Sequence, residues 1–533
     1  MSLLKQNLFN DCYNEINGSI GSKSNDTENK PNNETEPFSP YQLSYLKHHR
    51  YSLDLPGIVQ SKLGAGPQPQ VGDAGPKLVV VMVGLPARGK SYITKKLKRY
   101  LTWLQYETKV FNVGNLRRHT SINNNNNNPP GSTSHSFSFF DPHNEQAKQL
   151  REHLAMECLD ELIDWLKKGG RIGIHDATNS SITRRTRIMK RIQRESSFKI
   201  LFIESICTDK RVLEKNIALK LSGPDYKNMD PEEALNDFRK RIANYEKAYE
   251  TIGEQEELEN IQYCKLINVG KKVIAHNIQG FLSGQCIFYL MNLNLVDRRI
   301  WITRHGESTD NTLGRIGGDS SLSERGRKFA ACLTKFIKMQ KDLFRQKQLE
   351  KYREELKEEK KRYLNFSSSE PEPPERNFLV WTSMLKRTIE TVEKFDSKEF
   401  DVMHIRFLNE IYAGACEEMT YQQIEEEYPE EYAARKSNKL YYRYPGMGES
   451  YLDVIHRVNP LIIELERMTD NILIVTHRVV LRIVLAYFSD VEKEKVPHMD
   501  VPLHTVYCLQ PKAYGTELLK WVWDENEDMF FQE

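Results

Sequence analysis

An apolar stretch that leads directly into a glycine-rich motif constrains the fold of this chain more than any other feature. Residues 77–83 have the length and β-branched character of a buried strand, and Gly84-Leu85-Pro86-Ala87-Arg88-Gly89-Lys90-Ser91 follows at once. A helical pattern then covers residues 92–104. The eight-residue pattern arises by chance in a chain of this length roughly one time in fifty, even before the flanking strand and helix are required. The sequence therefore predicts a phosphate-binding P-loop between a strand and a helix.

The rest of the first half alternates between short apolar runs and helical patterns. Apolar runs occur at residues 109–113, 171–174, 198–203 and 266–269, and a helical pattern covers residues 145–168. Strand, helix and strand in this order predict a doubly wound, mostly parallel sheet. An Asn-rich tract near residues 121–138 interrupts the pattern and is most simply an inserted surface loop.

A second alternation of the same kind starts at residue 299 and predicts another α/β domain. Its apolar runs lie at residues 299–303, 378–381 and 472–476. The first leads into Arg304-His305-Gly306-Glu307, and the last into His477. Because the carboxyl ends of parallel strands share one edge of a sheet, we expect the two imidazoles to face each other there. The Arg-His-Gly tripeptide alone is a weak signal, arising by chance in roughly one of some thirty such chains, and a lone histidine is usually structural.

Length and composition predict two catalytic domains behind a polar tail. The chain has 533 residues, 39% of them hydrophobic, and a formal net charge of +2. No global charge therefore favours nucleic acid or membranes as partners. The eight cysteines are scattered, which fits a reducing cytosol, and no signal core or membrane span is evident. We predict a disordered tail at 1–75 and domains at 76–296 and 297–533, the second with a charged helical insertion near 340–376. The tail could dock or be phosphorylated at 39–46 and 50–52, although a flexible leader is the simpler interpretation.

The P-loop half needs groups for a nucleotide and for an anionic co-substrate. Lys90 is expected to reach the terminal phosphates and Ser91 to hold magnesium. Asp176, at a strand end beside the P-loop strand, could accept a hydroxyl proton or help to hold magnesium, or could be an ordinary turn residue. Several cations could bind the co-substrate, although each alone is more often a surface charge: Arg117, Arg118, Arg151, Lys220, and Arg241 with Tyr245 one helical turn later.

The second half contains the groups that phosphoryl transfer to histidine requires. One imidazole would act as the nucleophile and form phosphohistidine, with the other as a cationic partner. Glu410 is the candidate acid for the leaving oxygen. Four side chains could bind and neutralise the transferring group: Arg304, Asn311, Arg387 and Arg482.

Eight motifs in order give the chain a resemblance to a known family. They are the P-loop octapeptide, Asp176-Ala177-Thr178-Asn179, Gly223-Pro224-Asp225-Tyr226, residues 289–292, Arg304-His305-Gly306-Glu307, residues 314–320, residues 441–445, and Pro502-Leu503-His504-Thr505. Together they resemble the bifunctional 6-phosphofructo-2-kinase/fructose-2,6-bisphosphatase family over about residues 77–514. The resemblance implies an α/β P-loop kinase domain, followed by a phosphoglycerate-mutase-like α/β domain of the histidine phosphatase type.

The same resemblance implies two opposed reactions and assigns residues to them. The kinase would make fructose 2,6-bisphosphate from fructose 6-phosphate and MgATP, and the phosphatase would reverse this through phosphohistidine at His305, with Glu410 as proton donor. Nucleotide positions would be Gly84, Ala87, Arg88, Gly89, Lys90 and Ser91, with catalytic Asp176 and Lys220. Kinase sugar-phosphate positions would be Thr178, Arg117, Arg118, Arg151, Arg241 and Tyr245. The phosphatase would bind its substrate through Arg304, Asn311, Arg387, His477, Tyr421, Arg435, Lys439, Arg443 and Tyr451. A homodimer in the cytoplasm is also implied.

Three departures from the family pattern leave other interpretations open. Lys272 and Asn277 stand where many members carry arginine, which would weaken the kinase. Arg478 replaces a glutamine that is common beside the second histidine, which could tighten binding in the phosphatase. The alternatives to a bifunctional enzyme are a phosphatase-dominant enzyme with a weak kinase, and a non-catalytic sugar-phosphate sensor.

Overall fold

The structure, a computed structural model, describes residues 77–124, 137–141, 143–227, 229–362, 372–512 and 515–533. The predicted tail, with its candidate docking and phosphorylation segments, lies outside these residues, as does most of the Asn-rich insertion. Within the described residues no helix combines the length and the apolar character needed to cross a membrane. All seven cysteines in this part of the chain are buried free thiols.

The first half forms a six-stranded sheet in the order β2-β3-β1-β4-β5-β6. Five strands are parallel, and β6 pairs antiparallel with β5 at the edge. This confirms the predicted doubly wound, mostly parallel sheet. The strands are β1 Lys77–Val83, β2 Thr108–Asn112, β3 Ile172–Asp176, β4 Phe198–Ile206, β5 Tyr263–Ile267 and β6 Lys272–His276.

Helices cover both faces of this sheet, because its central strands are apolar on both sides and need two layers to bury them. They are α1 Lys90–Trp103, α2 Val113–Asn124, α3 Glu145–Lys167, α4 Ile182–Ile192, α5 Lys210–Leu221, α6 Pro231–Lys247, α7 Glu254–Leu258 and α8 Phe281–Met291, with a 3-10 turn at Phe137–Phe140. The helix predicted over 92–104 begins two residues earlier, inside the P-loop. Gly89 precedes it in the left-handed region, with a φ of 91°.

The second half forms a seven-stranded sheet in the order β13-β12-β11-β7-β10-β8-β9. The predicted strands at 299–303, 378–381 and 472–476 are parallel neighbours, whereas the last three strands add as antiparallel hairpins. The strands are β7 Ile300–Arg304, β8 Phe378–Thr382, β9 Asp401–His404, β10 Asn471–Thr476, β11 Thr505–Lys512, β12 Gly515–Asp524 and β13 Met529–Gln532. His305 and His477 therefore follow adjacent strands.

Helices again cover the sheet. They are α9 Thr309–Thr312, α10 Glu324–Arg362, α11 Lys386–Val392, α12 Tyr421–Glu427, α13 Pro429–Ser437, α14 Tyr451–Arg467 and α15 Arg478–Ser489, with 3-10 turns at Arg406–Leu408, Gly414–Cys416 and Lys493–His498. The charged segment that begins near residue 340 is helical as predicted, but it is the second part of the 39-residue helix α10 and not a separate helix. The start of α10 buries Phe329, Leu333 and Phe336 at helical spacing, so its first turns are core.

A buried carboxylate joins the two halves. Glu466, near the end of α14, is 1% exposed and accepts hydrogen bonds from Lys96 and Arg99 on α1. The hydroxyls of Tyr289 and Tyr487 also donate to it, at 3.2 and 3.0 Å. Although burial opposes ionisation, Lys96, Arg99 and Arg298 lower the pKa of Glu466 to about 2. Glu466 thus links α1, which begins at the P-loop, to α14 in the second half.

We expect Glu466→Ala to destabilise both halves together. Removing one partner of a buried ion pair leaves uncompensated charge, which typically costs about 3–5 kcal/mol, and here two cations lose their acceptor. The thermal midpoints of both activities should fall in parallel, measured as residual kinase and phosphatase turnover after heating. Glu464→Gln, a partly exposed position on the same helix that pairs with Arg467, is the matched control and should change neither midpoint. Loss of only one activity on heating Glu466→Ala would contradict this coupling.

Candidate functional sites

The P-loop has the geometry that its sequence predicts. Gly84 has a φ of 135°, and a Cβ there would lie 2.6 Å from the Ser205 carbonyl oxygen, so only glycine fits. The Gly84 amide donates to the Thr178 carbonyl oxygen across the neighbouring strand end. The Lys90 ammonium donates to the carbonyl oxygens of Gly84 and Leu85, at 2.7 and 2.6 Å. It therefore lies curled over the loop at the N-terminus of α1, where anionic groups are favoured.

Polar groups converge on Lys90 from neighbouring strands. Asp176, the last residue of β3, accepts a 2.7 Å hydrogen bond from the Asn112 amide, and β2 places Asn112 directly beside it. Burial raises the pKa of Asp176, although Lys90 opposes this effect. Burial lowers the pKa of Lys90 to about 7 and lowers that of Lys220 as well. Asp176 thus interacts with two amines whose pKa values are lowered, and titratable groups perturbed in this way cluster at catalytic sites.

These residues line a cavity of about 770 Å³. Most of the residues predicted for the first half line it: Ala87, Gly89, Lys90, Ser91, Arg117, Arg118, Arg151, Asp176, Thr178, Lys220, Arg241 and Tyr245. Gly84 and Arg88 do not. Gly84 packs against β4, and Arg88 turns away to the Cys207 carbonyl oxygen and Glu246.

Other lining residues escaped the sequence analysis. Asn216 donates to the Ala87 carbonyl oxygen, and its position one turn before Lys220 on α5 was a signal that could have been used. Arg184, Phe139 and Phe140 also line the cavity, without any recognisable pattern in the sequence. Lys272 and Asn277 lie outside the lining, on and beside the edge strand β6. The expectation that they weaken a phosphate contact therefore finds no support in the cavity.

The two predicted histidines of the second half meet at the carboxyl edge of the second sheet. Their ring centroids are 5.2 Å apart, and the His305 amide donates to the Thr476 carbonyl oxygen of β10. His305 is 3% exposed and lines a second cavity of about 490 Å³, whereas His477 is completely buried behind it. The edge-to-edge placement of β7 and β10 brings the two rings together, as predicted.

Hydrogen bonds define the state of both rings. His305 Nδ1 lies 2.6 Å from the Gly306 carbonyl oxygen and must donate to it, so Nε2 carries the lone pair. His477 Nδ1 accepts from Arg387 Nε, so His477 Nε2 donates to the Ser383 hydroxyl. Burial, and after it Arg387, lowers the pKa of each ring well below 6.5. Burial and Arg387 therefore favour the neutral form of His477, and its role as a cationic partner during phosphoryl transfer stays a prediction.

Glu410 lines the same cavity as His305. Its carboxylate accepts hydrogen bonds from the backbone amides of Ile411, Arg478 and Val479, at 2.9 to 3.3 Å. Two of these amides open α15, whose N-terminus attracts negative charge. Glu410 is thus held in the cavity by the turn that follows His477.

Cations and tyrosines form the rest of this cavity. Predicted residues in the lining are Arg304, Asn311, Arg387, Tyr421, Arg435, Lys439, Tyr451, Arg478 and Arg482. Arg435 donates to the Tyr421 and Tyr444 hydroxyls, and Arg482 donates to the Tyr451 hydroxyl. Arg443 lies outside the lining because it pairs with Asp453 on the protein surface. Arg315 lines the cavity and was missed as an individual residue, although the motif at 314–320 contains it.

We expect Glu410→Gln to slow removal of a phosphoryl group in this cavity by about 10²- to 10⁴-fold, because the amide cannot supply a proton to a leaving oxygen. Glutamine keeps the shape of the side chain but has a single acceptor oxygen and so loses part of the backbone contacts, and the thermal midpoint therefore checks that the fold is intact. Steady-state phosphatase turnover is the measurement. Glu425→Gln, which is exposed on α12, is the control and should retain full activity. Unchanged turnover in Glu410→Gln would contradict a proton-transfer role.

The loop at the start of α1 and the paired imidazoles define a class of protein: a P-loop kinase fold joined to a histidine phosphatase fold. A family model for 6-phosphofructo-2-kinase matches residues 70–297, and one for the histidine phosphatase superfamily (branch 1) matches residues 366–524. The second match begins beyond His305, so the placement of that residue rests on the geometry above.

Known proteins resemble most of the chain. 6-Phosphofructo-2-kinase 1 of Saccharomyces cerevisiae is 48% identical over 493 residues, which cover 91% of this chain and 57% of that protein. 6-Phosphofructo-2-kinase/fructose-2,6-bisphosphatase 3 of Homo sapiens is 42% identical over 450 residues, which cover 83% of this chain and 77% of that protein. The alpha-ribazole phosphatase structure from Shigella flexneri is 24% identical with a TM-score of 0.31, covering 41% of this chain and 94% of that chain. The chain belongs to the 6-phosphofructo-2-kinase/fructose-2,6-bisphosphatase family.

Proposed function

We propose that this chain is a bifunctional enzyme that makes fructose 2,6-bisphosphate from fructose 6-phosphate and ATP, and hydrolyses it back to fructose 6-phosphate and phosphate. It would thereby control the balance between glycolysis and gluconeogenesis. One observation carries the proposal. The chain combines a complete P-loop cavity with a buried histidine pair whose nucleophilic nitrogen faces a second, cation-lined cavity. The yeast relative is named only as a kinase, but a retained His305 supports both activities here.

In the kinase cavity, ATP would lie along the P-loop with its terminal phosphates at Lys90. The sugar phosphate would bind beside it, with its 6-phosphate among the cations Arg117, Arg151 and Arg241. Asp176 would accept the proton of the attacking 2-hydroxyl while the γ-phosphoryl group leaves ADP and joins that oxygen. Lys220, one turn after Asn216, would neutralise charge on the transferring group.

Magnesium fits the donor groups of this cavity. The Ser91 hydroxyl and the Asp176 carboxylate line it together, and hard oxygen donors of this kind hold Mg²⁺ when phosphate oxygens complete its shell. When bound, the ion would neutralise charge on the nucleotide phosphates. Asp176 thus has two candidate roles, as a proton acceptor and as a ligand.

In the phosphatase cavity, His305 Nε2 would attack the 2-phosphoryl phosphorus. The bond from phosphorus to the sugar O2 breaks, and Glu410 gives its proton to that oxygen. Water then attacks the phosphohistidine, with Glu410 taking back a proton, and phosphate leaves. Because His477 donates to Ser383 and accepts from Arg387, it would hold the phosphoryl site in shape and gain charge only once a dianion arrives. Arg304, Asn311 and Arg387 would stabilise the negative charge of the phosphoryl group during its transfer.

The remaining residues of the second cavity would bind the sugar and its 6-phosphate. Tyr421, Arg435, Lys439 and Tyr451 line the cavity, and Arg435 donates a hydrogen bond to the Tyr421 hydroxyl. Arg478, exposed at the cavity mouth, would add a cation that strengthens binding of a bisphosphate. Arg443 would need to leave Asp453 to take part.

Two assays on one preparation test the proposal. Protein is incubated with MgATP and fructose 6-phosphate, and separately with fructose 2,6-bisphosphate. Turnover in both supports the bifunctional enzyme. Turnover only in the second assay would support the phosphatase-dominant alternative, and turnover in neither would support the sugar-phosphate sensor. The homodimer, the cytoplasmic location, the domain limits and tail regulation stay predictions from the sequence.

A further inference from the structure

Two residues that bear no assigned role hold the arginines of the kinase cavity from opposite sides. On one side lies Phe140, which is 5% exposed. The guanidinium of Arg241 stacks over its ring at 3.9 Å from the centroid, and that of Arg117 lies 5.3 Å away. The ring of Tyr245 packs against Phe140 at 5.6 Å. One aromatic face therefore supports three candidate substrate-binding side chains.

On the other side lies Asp225. Its carboxylate accepts hydrogen bonds from Arg117, Arg118 and Arg241, at 2.7, 3.0 and 3.2 Å. Although burial opposes ionisation, Arg117 and Arg241 hold the pKa of Asp225 well below its usual range. Asp225 is therefore a permanent anion in the centre of the arginine group.

Arginines packed this closely need such support. Burial, and after it the charge of Arg241, lowers the pKa of Arg117, which reflects repulsion between the two guanidiniums. A guanidinium offers five N–H donors in a rigid plane, so its orientation decides whether it can grip a phosphate with two of them. The contact with Phe140 and the hydrogen bond to Asp225 together restrict the orientation of the Arg241 guanidinium.

The turn that contains Phe140 is attached to a helix of the kinase half. The 3-10 turn Phe137–Phe140 is fastened to α6, because the Phe137 amide donates to Asp237 and the Asn244 side chain donates to the Phe137 carbonyl oxygen. Arg241 and Tyr245 lie on the same helix. These hydrogen bonds therefore fix the position of Phe140 relative to Arg241 and Tyr245.

We propose that Phe140 and Asp225 are positioning residues that hold Arg117 and Arg241 ready for the phosphate of the sugar substrate, and so set the sugar-phosphate affinity of the kinase cavity. This inference rests on the proposed kinase function. The contacts that carry the inference join both side chains to arginines, so we expect the effect on sugar-phosphate binding and use the affinity for MgATP as the internal comparison.

The sign of the Asp225 effect separates positioning from simple electrostatics. If Asp225 only repelled phosphate, Asp225→Asn would remove a negative charge and tighten sugar-phosphate binding. If Asp225 positions the arginines, the same change lets three guanidiniums repel one another and splay apart, and binding weakens. The two accounts predict opposite directions for one isosteric substitution.

The test measures fructose 6-phosphate binding by calorimetry, together with KM and kcat of the kinase. Phe140→Leu and Asp225→Asn should each raise the dissociation constant and KM by about five- to tenfold, with KM for MgATP unchanged and kcat altered less than about threefold. Phe140→Tyr keeps an aromatic face and should restore binding. Phe202→Leu is the matched control, because that ring is buried in the core of the same half, does not line the cavity and should leave binding unchanged.

A double-mutant cycle shows whether Phe140 acts through Arg241. In an Arg241→Ala background, Phe140→Leu should weaken binding less than it does in the wild type, because only its support of Arg117 and Tyr245 is then lost. Unchanged binding in Phe140→Leu, tighter binding in Asp225→Asn, or a full Phe140 effect without Arg241 would each overturn the inference. Inorganic phosphate provides a readout independent of turnover. If wild type lacks kinase activity, the proposed function fails, while weaker phosphate binding by the same variants would still decide the positioning role.

Discussion

His305→Ala is expected to lower fructose 2,6-bisphosphate hydrolysis by at least about 10³-fold while leaving the kinase active. Nε2 of this ring is the proposed nucleophile, and removing a nucleophile costs several orders of magnitude because the neighbouring groups cannot replace it. His477 is not a substitute, since its Nε2 is committed to Ser383 and its ring is completely buried. Steady-state phosphate release is the measurement.

The kinase rate of the same variant serves as its folding control, because the two halves share the Glu466 junction and a misfolded protein would lose both activities. His498→Ala, an exposed position in the same half, should leave both rates unchanged. Phosphatase activity within tenfold of wild type in His305→Ala would show that another group accepts the phosphoryl group, or that water attacks directly.

Lys90→Met is expected to lower the kinase rate by about 10³-fold or more, with phosphatase activity retained. Lys90 is the P-loop cation that would stabilise the negative charge of the terminal phosphates during transfer. Methionine keeps the length of the lysine side chain but lacks its positive charge. In the structure the ammonium rests on two carbonyl oxygens of the loop, from which it can swing to a nucleotide. Formation of fructose 2,6-bisphosphate is the measurement.

Lys190→Met, exposed on α4, is the matched control for the loss of one lysine charge. It should leave the kinase rate unchanged. A Lys90→Met variant with normal kinase turnover would refute the assignment of this loop as the nucleotide site, whereas loss of both activities would indicate misfolding and call for Lys90→Arg as a milder test.

The parts of the fold that could be predicted from the sequence are those that local patterns encode. Apolar strands that end in Gly84, Asp176, His305 and His477 placed these residues at sheet edges, and parallel pairing then brought the histidines together. The antiparallel strands β11 to β13 were not predicted, because they lack the β-branched apolar run that marked the parallel strands, although β11 is buried between β7 and β12.

Long-range contacts account for what the sequence could not give. Glu466 reads as an ordinary glutamate near the end of an amphipathic helix, and only the fold shows that four side chains from three other helices converge on it. Arg443 matched a family position, yet its pairing with nearby Asp453 draws it out of the cavity. The neutral state of His477 depends on burial and on Arg387, neither of which is readable from its own neighbours in sequence.

Phosphohistidine mapping tests the central claim most directly. Protein is mixed rapidly with fructose 2,6-bisphosphate carrying a radioactive 2-phosphoryl group, quenched in alkali and digested. We predict an acid-labile, alkali-stable label on the peptide that contains His305, and none on this peptide in His305→Ala. Hydrolysis by the wild type with no label on that peptide, or with the label on another residue, would contradict it.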